Sequence, residues 1–190
     1  MDLNRDLNIA IDAALKGGIA IMEVYDANDF QIEKKADESP LTIADKKAHN
    51  SIVEILERTD YPILSEEGKR LAFKDRKEWN IFWLVDPLDG TKEFIKRNGE
   101  FTVNVALIEN GHPVLGVVYV PVFGSLYFAS KSMGAFKLND ALNNLSCLEK
   151  EAIRLPYKSW GERHLNVVGS RSHMSEETMN YVQNLKDEYE

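Results

Sequence analysis

Hydrophobic positions at helical spacing open the chain. Between residues 4 and 26 apolar side chains recur on one face of a 3.6-residue period, which predicts an amphipathic helix. The glycine pair at positions 17 and 18 weakens this helix locally, so we expect another element to pack closely against it. Thr42 is a helix-capping residue type and Asp45 would fall in the first turn, which predicts a second helix over residues 42–58.

Apolar runs and alternating segments fill the middle of the chain and predict strands. The predicted strands cover residues 30–34, 61–65, 79–85, 102–108, 114–120, 125–129 and 135–138. Near the end of the sequence, residues 166–170 are predicted to form another strand, and Ser175 to begin a helix that runs almost to the last residue.

These elements predict an α+β fold, a layered sandwich in which an antiparallel sheet packs on helices. We expect residues 1–160 to form an N-terminal α+β domain. Residues 161–190 would begin a second α/β domain. We expect that domain to be incomplete, because one strand and one helix cannot bury both of their faces.

Composition narrows the function classes. The net charge of −8 argues against broad electrostatic binding to a nucleic-acid polymer. The single cysteine, Cys147, cannot form an intrachain disulfide, which indicates a reducing compartment, and we expect its thiol to be packed. Polar residues interrupt any signal peptide, and no apolar run is long enough to span a bilayer. The expected location is the cytoplasm, with the cytoplasmic face of a membrane left open.

Carboxylates gather where two predicted strands end. Glu66 and Glu67 follow one strand, and Asp86 and Asp89 follow the next. On spacing alone a solvated loop is the commoner interpretation of each segment. Each segment directly follows an apolar strand, however, so the carboxylates would gather at strand ends. Carboxylates held together with no basic residues between them repel one another unless a cation binds them. Hard oxygen ligands at this density favour Mg²⁺.

Five segments carry a family resemblance. Residues 86–91, DPLDGT, resemble the signature of the inositol monophosphatase superfamily, and LSEE at 64–67 resembles its upstream acidic motif. KEF at 92–94 is similar to the bisphosphate nucleotidase branch of that superfamily, as are SPLTIAD at 39–45 and GSRSH at 169–173. The resemblance implies the layered sandwich of the sugar-phosphatase and inositol monophosphatase type.

The resemblance also implies a set of metal ligands. Glu66, Asp86 and the carbonyl of Leu88 would hold a first Mg²⁺. Asp86 and Asp89 would share a second ion, and Glu66 would reach a third. Two or three ions are therefore expected, together with the sensitivity to lithium that is common in the family.

Catalytic and substrate-binding roles follow from the same resemblance. Asp45, Glu66 and Thr91 are the expected catalytic residues, with the Asp45 carboxylate orienting the Thr91 hydroxyl so that it positions the attacking water. The expected substrate contacts are Glu66, Leu88, Asp89, Gly90, Thr91, Ser170, Arg171, Ser172 and His173. Without the resemblance, the last four of these residues would be interpreted as an ordinary loop that enters a helix.

The implied activity is removal of the 3'-phosphate from adenosine 3',5'-bisphosphate, or from its 5'-phosphosulfate analogue. Two alternatives stay open. One is an inositol or sugar phosphatase of the same superfamily, against which the KEF and SRSH segments count. The other is a non-catalytic metal-binding fragment, since the Trp-Asp motif that completes the second metal site in the family is not found by residue 190. A homodimer and peripheral membrane association are left open.

Overall fold

The computed structural model describes residues 2–27, 33–34, 40–156, 167–169 and 174–189. The chain divides into two compact units, residues 1–156 and 157–190. None of the described helices is long and apolar enough to cross a membrane.

The first unit contains six α-helices and nine strands among its described residues. The helices are α1 (Leu3–Ala27), α2 (Ile43–Leu56), α3 (Phe73–Arg76), α4 (Thr91–Ile95), α5 (Ala141–Asn144) and α6 (Leu148–Glu151). The strands are β1 (Glu33–Lys34), β2 (Pro40–Leu41), β3 (Ile63–Ser65), β4 (Ile81–Asp89), β5 (Thr102–Glu109), β6 (His112–Val120), β7 (Ser125–Ser130), β8 (Gly134–Leu138) and β9 (Ile153–Leu155).

Strands β3 to β9 form one seven-stranded sheet in the order of the chain, and β1 pairs with β2 in a small separate sheet. Neighbours from β4 to β9 are antiparallel, as predicted, whereas β3 runs parallel to β4. The sheet is therefore mixed, and the parallel pairing of β3 is the one departure from the predicted antiparallel sheet among the described strands. The parallel pair arises because residues 66–80 cross over between β3 and β4, and they include α3 instead of a tight hairpin.

Helices α1 and α2 pack against each other and against the sheet, and the hydrophobic core lies between the helices and the strands. The two glycines of α1 lie at the closest contacts, as the sequence predicted. A Cβ atom at Gly17 would lie 2.7 Å from Ile52 of α2, and one at Gly18 would collide with the ring of Tyr119 on β6. Glycine is required here because any side chain would push the helix away from the sheet.

Cys147, in the last part of the first unit, is exposed and not packed as the sequence predicted. Residues 141–151 form short helical segments that precede the edge strand β9. Cys147 lies in a 3₁₀ turn over Leu145–Cys147 and is exposed. The prediction of a packed thiol is therefore wrong.

The second unit contains one described helix, α7 (Glu176–Tyr189). Ser175 precedes it and accepts a hydrogen bond from the Thr178 N–H at 3.2 Å, so the helix predicted to begin there is confirmed. Of the strand predicted over residues 166–170, the described residues 167–169 are irregular, and the others lie outside the described residues.

Candidate active and metal site

The parallel pairing of β3 with β4 brings two acidic residues side by side. Its register places Ser65 opposite Val85. The Glu66 N–H continues the ladder by donating to the Val85 carbonyl at 3.0 Å. Glu66 and Asp86 therefore leave the same edge of the sheet, and their carboxyl groups share a hydrogen bond. The structure thus brings together the two strand ends that the sequence singled out.

Asp89, the third acidic residue, lies at the end of β4, after an irregular stretch of that strand. The sequence predicted that the strand would stop before Pro87, but β4 continues to Asp89. Its register with β5 shifts between Asp86, opposite Asn104, and Asp89, opposite Thr102. The proline is accommodated because it lies inside this shift, where its missing N–H breaks no regular ladder.

The side chain of Asn104 contacts the last of these carboxylates. Its Nδ2 donates to Asp89 Oδ2 at 3.3 Å, and its Oδ1 accepts from Thr102 Oγ1 at 3.2 Å. Sequence reasoning missed Asn104. The sequence offered only a weak signal, a polar residue between two valines in a mostly apolar strand, and its register opposite Asp86 is visible only in the structure.

Electrostatic repulsion concentrates on Asp86. Burial, the largest cause, together with the charges of Glu66 and Asp89 and the hydrogen bond with Glu66, raises its pKa to about 7. Asp86 is half-buried, whereas Glu66 and Asp89 are exposed. The cluster is thus open to solvent on one side, and a cation bound there would relieve the repulsion.

Gly90 turns the chain sharply between β4 and α4. Its φ is +96°, in the left-handed region, and an added Cβ would lie 2.8 Å from the Glu100 carbonyl oxygen. Only glycine fits this position without strain. The turn starts α4 at Thr91, directly after the acidic end of β4.

Asp45 and Thr91 form the pair that the sequence resemblance implied. Thr91 Oγ1 lies 3.2 Å from Asp45 Oδ1 and 3.3 Å from the Leu88 carbonyl oxygen. On its other side, Asp45 Oδ2 accepts from the N–H and the hydroxyl of Thr42 at 2.7 and 2.6 Å, in a capping box at the start of α2. Burial raises the pKa of Asp45, and these donors act in the opposite direction.

The donor set suits Mg²⁺ better than a softer metal. Among the described residues, no three His, Cys, Asp or Glu side chains form a group that could hold a metal ion by themselves. The predicted first site instead uses two carboxylates, of Glu66 and Asp86, and the carbonyl of Leu88. This set fits Mg²⁺, which is commonly bound through one or two carboxylates and completes its coordination with water and substrate phosphate.

Four predicted substrate contacts cannot be compared with the structure. Ser170, Arg171, Ser172 and His173 lie outside the described residues. Their predicted role in binding the nucleotide stays a prediction.

The fold and the acidic edge of the sheet define a class of protein. The model of the inositol monophosphatase family matches residues 2–186. The chain therefore belongs to the inositol monophosphatase family.

Within that family, the chain is similar to proteins named 3'(2'),5'-bisphosphate nucleotidase CysQ. It is 47% identical over 175 residues to that of Salmonella typhimurium (strain LT2) and 45% identical over 175 residues to that of Escherichia coli (strain K12). Each comparison covers 90% of this chain and 66% of the relative, so the chain spans about two thirds of its curated relatives' length.

A solved structure supports the same placement. The crystal structure of CysQ from Bacteroides thetaiotaomicron, described as a bacterial member of the inositol monophosphatase family, matches with a TM-score of 0.84 at 48% identity. The match covers 97% of this chain and 69% of that one. The layered α+β fold predicted from the sequence is thereby confirmed.

Proposed function

We propose that this chain carries the catalytic site of a Mg²⁺-dependent phosphatase that removes the 3'-phosphate of adenosine 3',5'-bisphosphate, giving AMP and phosphate. The 5'-phosphosulfate analogue would react in the same way. The observation that carries the proposal is the convergence of Glu66 and Asp86 beside the hydrogen-bonded pair of Asp45 and Thr91. The nucleotidase relatives, at 45–47% identity, support the choice of substrate.

The acidic residues would hold the metal ions. Glu66, Asp86 and the Leu88 carbonyl would bind the first Mg²⁺, Asp86 and Asp89 would share a second, and Glu66 would reach a third. When bound, Mg²⁺ lowers the pKa of a water molecule and neutralises charge on the phosphate. The raised pKa of Asp86 supports this assignment, because the protein alone leaves that charge poorly compensated.

The Asp45 and Thr91 pair would orient the water. Thr91 has one hydroxyl proton, and a carboxylate is a stronger acceptor than a peptide carbonyl, so the proton points to Asp45 rather than to Leu88. The lone pairs of Thr91 Oγ1 then accept a hydrogen bond from the attacking water. The water oxygen bonds to phosphorus as the bond to the ribose 3'-oxygen breaks. One water proton stays on the product phosphate, the other passes to solvent, and the ribose oxygen takes up one proton from solvent.

The other predicted contacts complete the substrate site. The backbone of Gly90 and Thr91 would cradle the scissile phosphate, and residues 170–173 would bind the remainder of the nucleotide, Arg171 pairing with a phosphate. The number of ions and the cytoplasmic location are parts of the same proposal.

Phosphate release from three substrates tests the proposal. Adenosine 3',5'-bisphosphate, inositol 1-phosphate and fructose 1,6-bisphosphate would each be assayed with Mg²⁺ and with EDTA. We expect kcat/KM for the nucleotide to exceed the others by about 100-fold, because a polar site discriminates strongly against substrates that leave its groups unpaired. Preference for inositol 1-phosphate would support the alternative phosphatase. A folded protein that is inactive on all three would support the non-catalytic fragment.

A further inference from the structure

Helix α2 presents a second polar side chain one turn after its catalytic carboxylate. His49 follows Asp45 by four residues and therefore lies on the same face of the helix. The ring is half-buried, and its Nδ1 lies 2.8 Å from Ser65 Oγ, within a hydrogen bond. Ser65 ends β3 and immediately precedes Glu66. The helix thus contacts both acidic segments, one through Thr91 and the other through Ser65.

The backbone around Ser65 is held at two further points. The Glu66 N–H donates to the Val85 carbonyl, and the Gly68 N–H donates to the Ser65 carbonyl, each at 3.0 Å. An added Cβ at Gly68 would lie 3.1 Å from the Ser65 oxygen and 3.7 Å from His49 Cε1. The turn that carries Glu66 therefore packs directly beside the imidazole, and the hydrogen bond between His49 and Ser65 restrains the residue that precedes Glu66.

We propose that His49 is a positioning residue which acts through Ser65 to hold Glu66 in the orientation that binds the divalent cation. The inference rests on the proposed metal site. A purely structural hydrogen bond would contribute to the stability of the fold alone. A positioning role also predicts a change in metal affinity, because groups that orient a ligand commonly alter affinity by about 10-fold or more.

Calorimetric titration of the 190-residue chain with Mn²⁺ separates the two roles. The variants are His49→Ala, Ser65→Ala, their double mutant, and His49→Asn, which keeps a polar atom near the position of Nδ1. His112→Ala is the matched control, because His112 is exposed on β6. Circular dichroism would establish that each variant is folded. If His49→Ala does not fold, Ser65→Ala still tests the same hydrogen bond.

We expect His49→Ala and Ser65→Ala each to raise the Kd for Mn²⁺ about 10-fold, and the double mutant to be no worse than either. His49→Asn should recover most of the affinity, and His112→Ala should match the wild type. Unchanged affinity in the folded single variants would overturn the positioning role and leave the metal site standing. A wild-type chain that binds no Mn²⁺ would overturn the metal site and this inference with it.

Discussion

Replacing Asp86 with asparagine should stabilise the metal-free protein and abolish its response to Mg²⁺. Burial and the charges of Glu66 and Asp89 raise the pKa of Asp86 to about 7, from an ordinary value of 3.8. The folded state therefore favours the protonated carboxyl. The contribution of Asp86 to the free energy of unfolding is fully present below the unfolded-state pKa and is lost as the pH rises through about 7.

The loss of stability with rising pH follows from the difference between the ordinary pKa of Asp86, 3.8, and its folded-state value of about 7. Between about pH 5 and about pH 8, linkage predicts a loss of about 2 to 3 kcal/mol from the wild-type free energy of unfolding without metal. The asparagine variant lacks the titrating group and should not show this part of the loss. Mg²⁺ at about 100 times its Kd should restore about 2.7 kcal/mol to the wild type at the higher pH, and nothing to the variant.

Urea unfolding at the two pH values, with EDTA and with Mg²⁺, measures both effects. Asp75→Asn is the matched control, because Asp75 is exposed on α3 and is not among the charges that raise the pKa of Asp86. It should follow the wild type in all four conditions. The reasoning would be refuted if Asp86→Asn lost as much stability as the wild type between the two pH values, since the raised pKa would then belong to another group.

Three further substitutions test other parts of the structure. Thr91→Val should lower kcat about 100-fold or more, because Asp45 loses the hydroxyl it orients, while Thr91→Ser should retain most activity in the same phosphate-release assay. Asn104→Ala should raise the Mg²⁺ concentration for half-maximal activity about 10-fold by freeing Asp89, and an unchanged Mg²⁺ titration would contradict this. Gly18→Ala should destabilise the protein by about 1 to 3 kcal/mol in urea unfolding, unlike an alanine at an exposed position of α1.

Local sequence patterns were sufficient to predict most elements of the first unit. Helical spacing located α1, the capping residue Thr42 located the start of α2, and apolar or alternating segments located β5 to β8. The parallel direction of β3 was not predictable, because a local pattern does not specify which strand will be the partner. The extension of β4 through Pro87 was missed for a similar reason, since its register shift depends on β5.

The site was predictable to the extent that its residues follow strands or belong to a motif. Glu66 and Asp86 converge because strand ends at one edge of a sheet share a location. Asn104 and His49 had no such signal, since neither directly follows a strand or belongs to a motif. Their importance is visible only in the contacts with Asp89 and Ser65, which join segments distant in sequence.

The position of the acidic residues at strand ends explains how the fold tolerates their repulsion. Ionising Asp86 in the folded state without a cation costs free energy, because burial and the charges of Glu66 and Asp89 raise its pKa to about 7. The strand that carries it is anchored by Trp83 and Val85, which are 0% and 2% exposed. Each such side chain contributes about 1.5 to 3 kcal/mol on burial, so the burial of both favours the folded strand despite the repulsion. A flexible loop with the same carboxylates would separate them, whereas the sheet holds them together for a cation to bind.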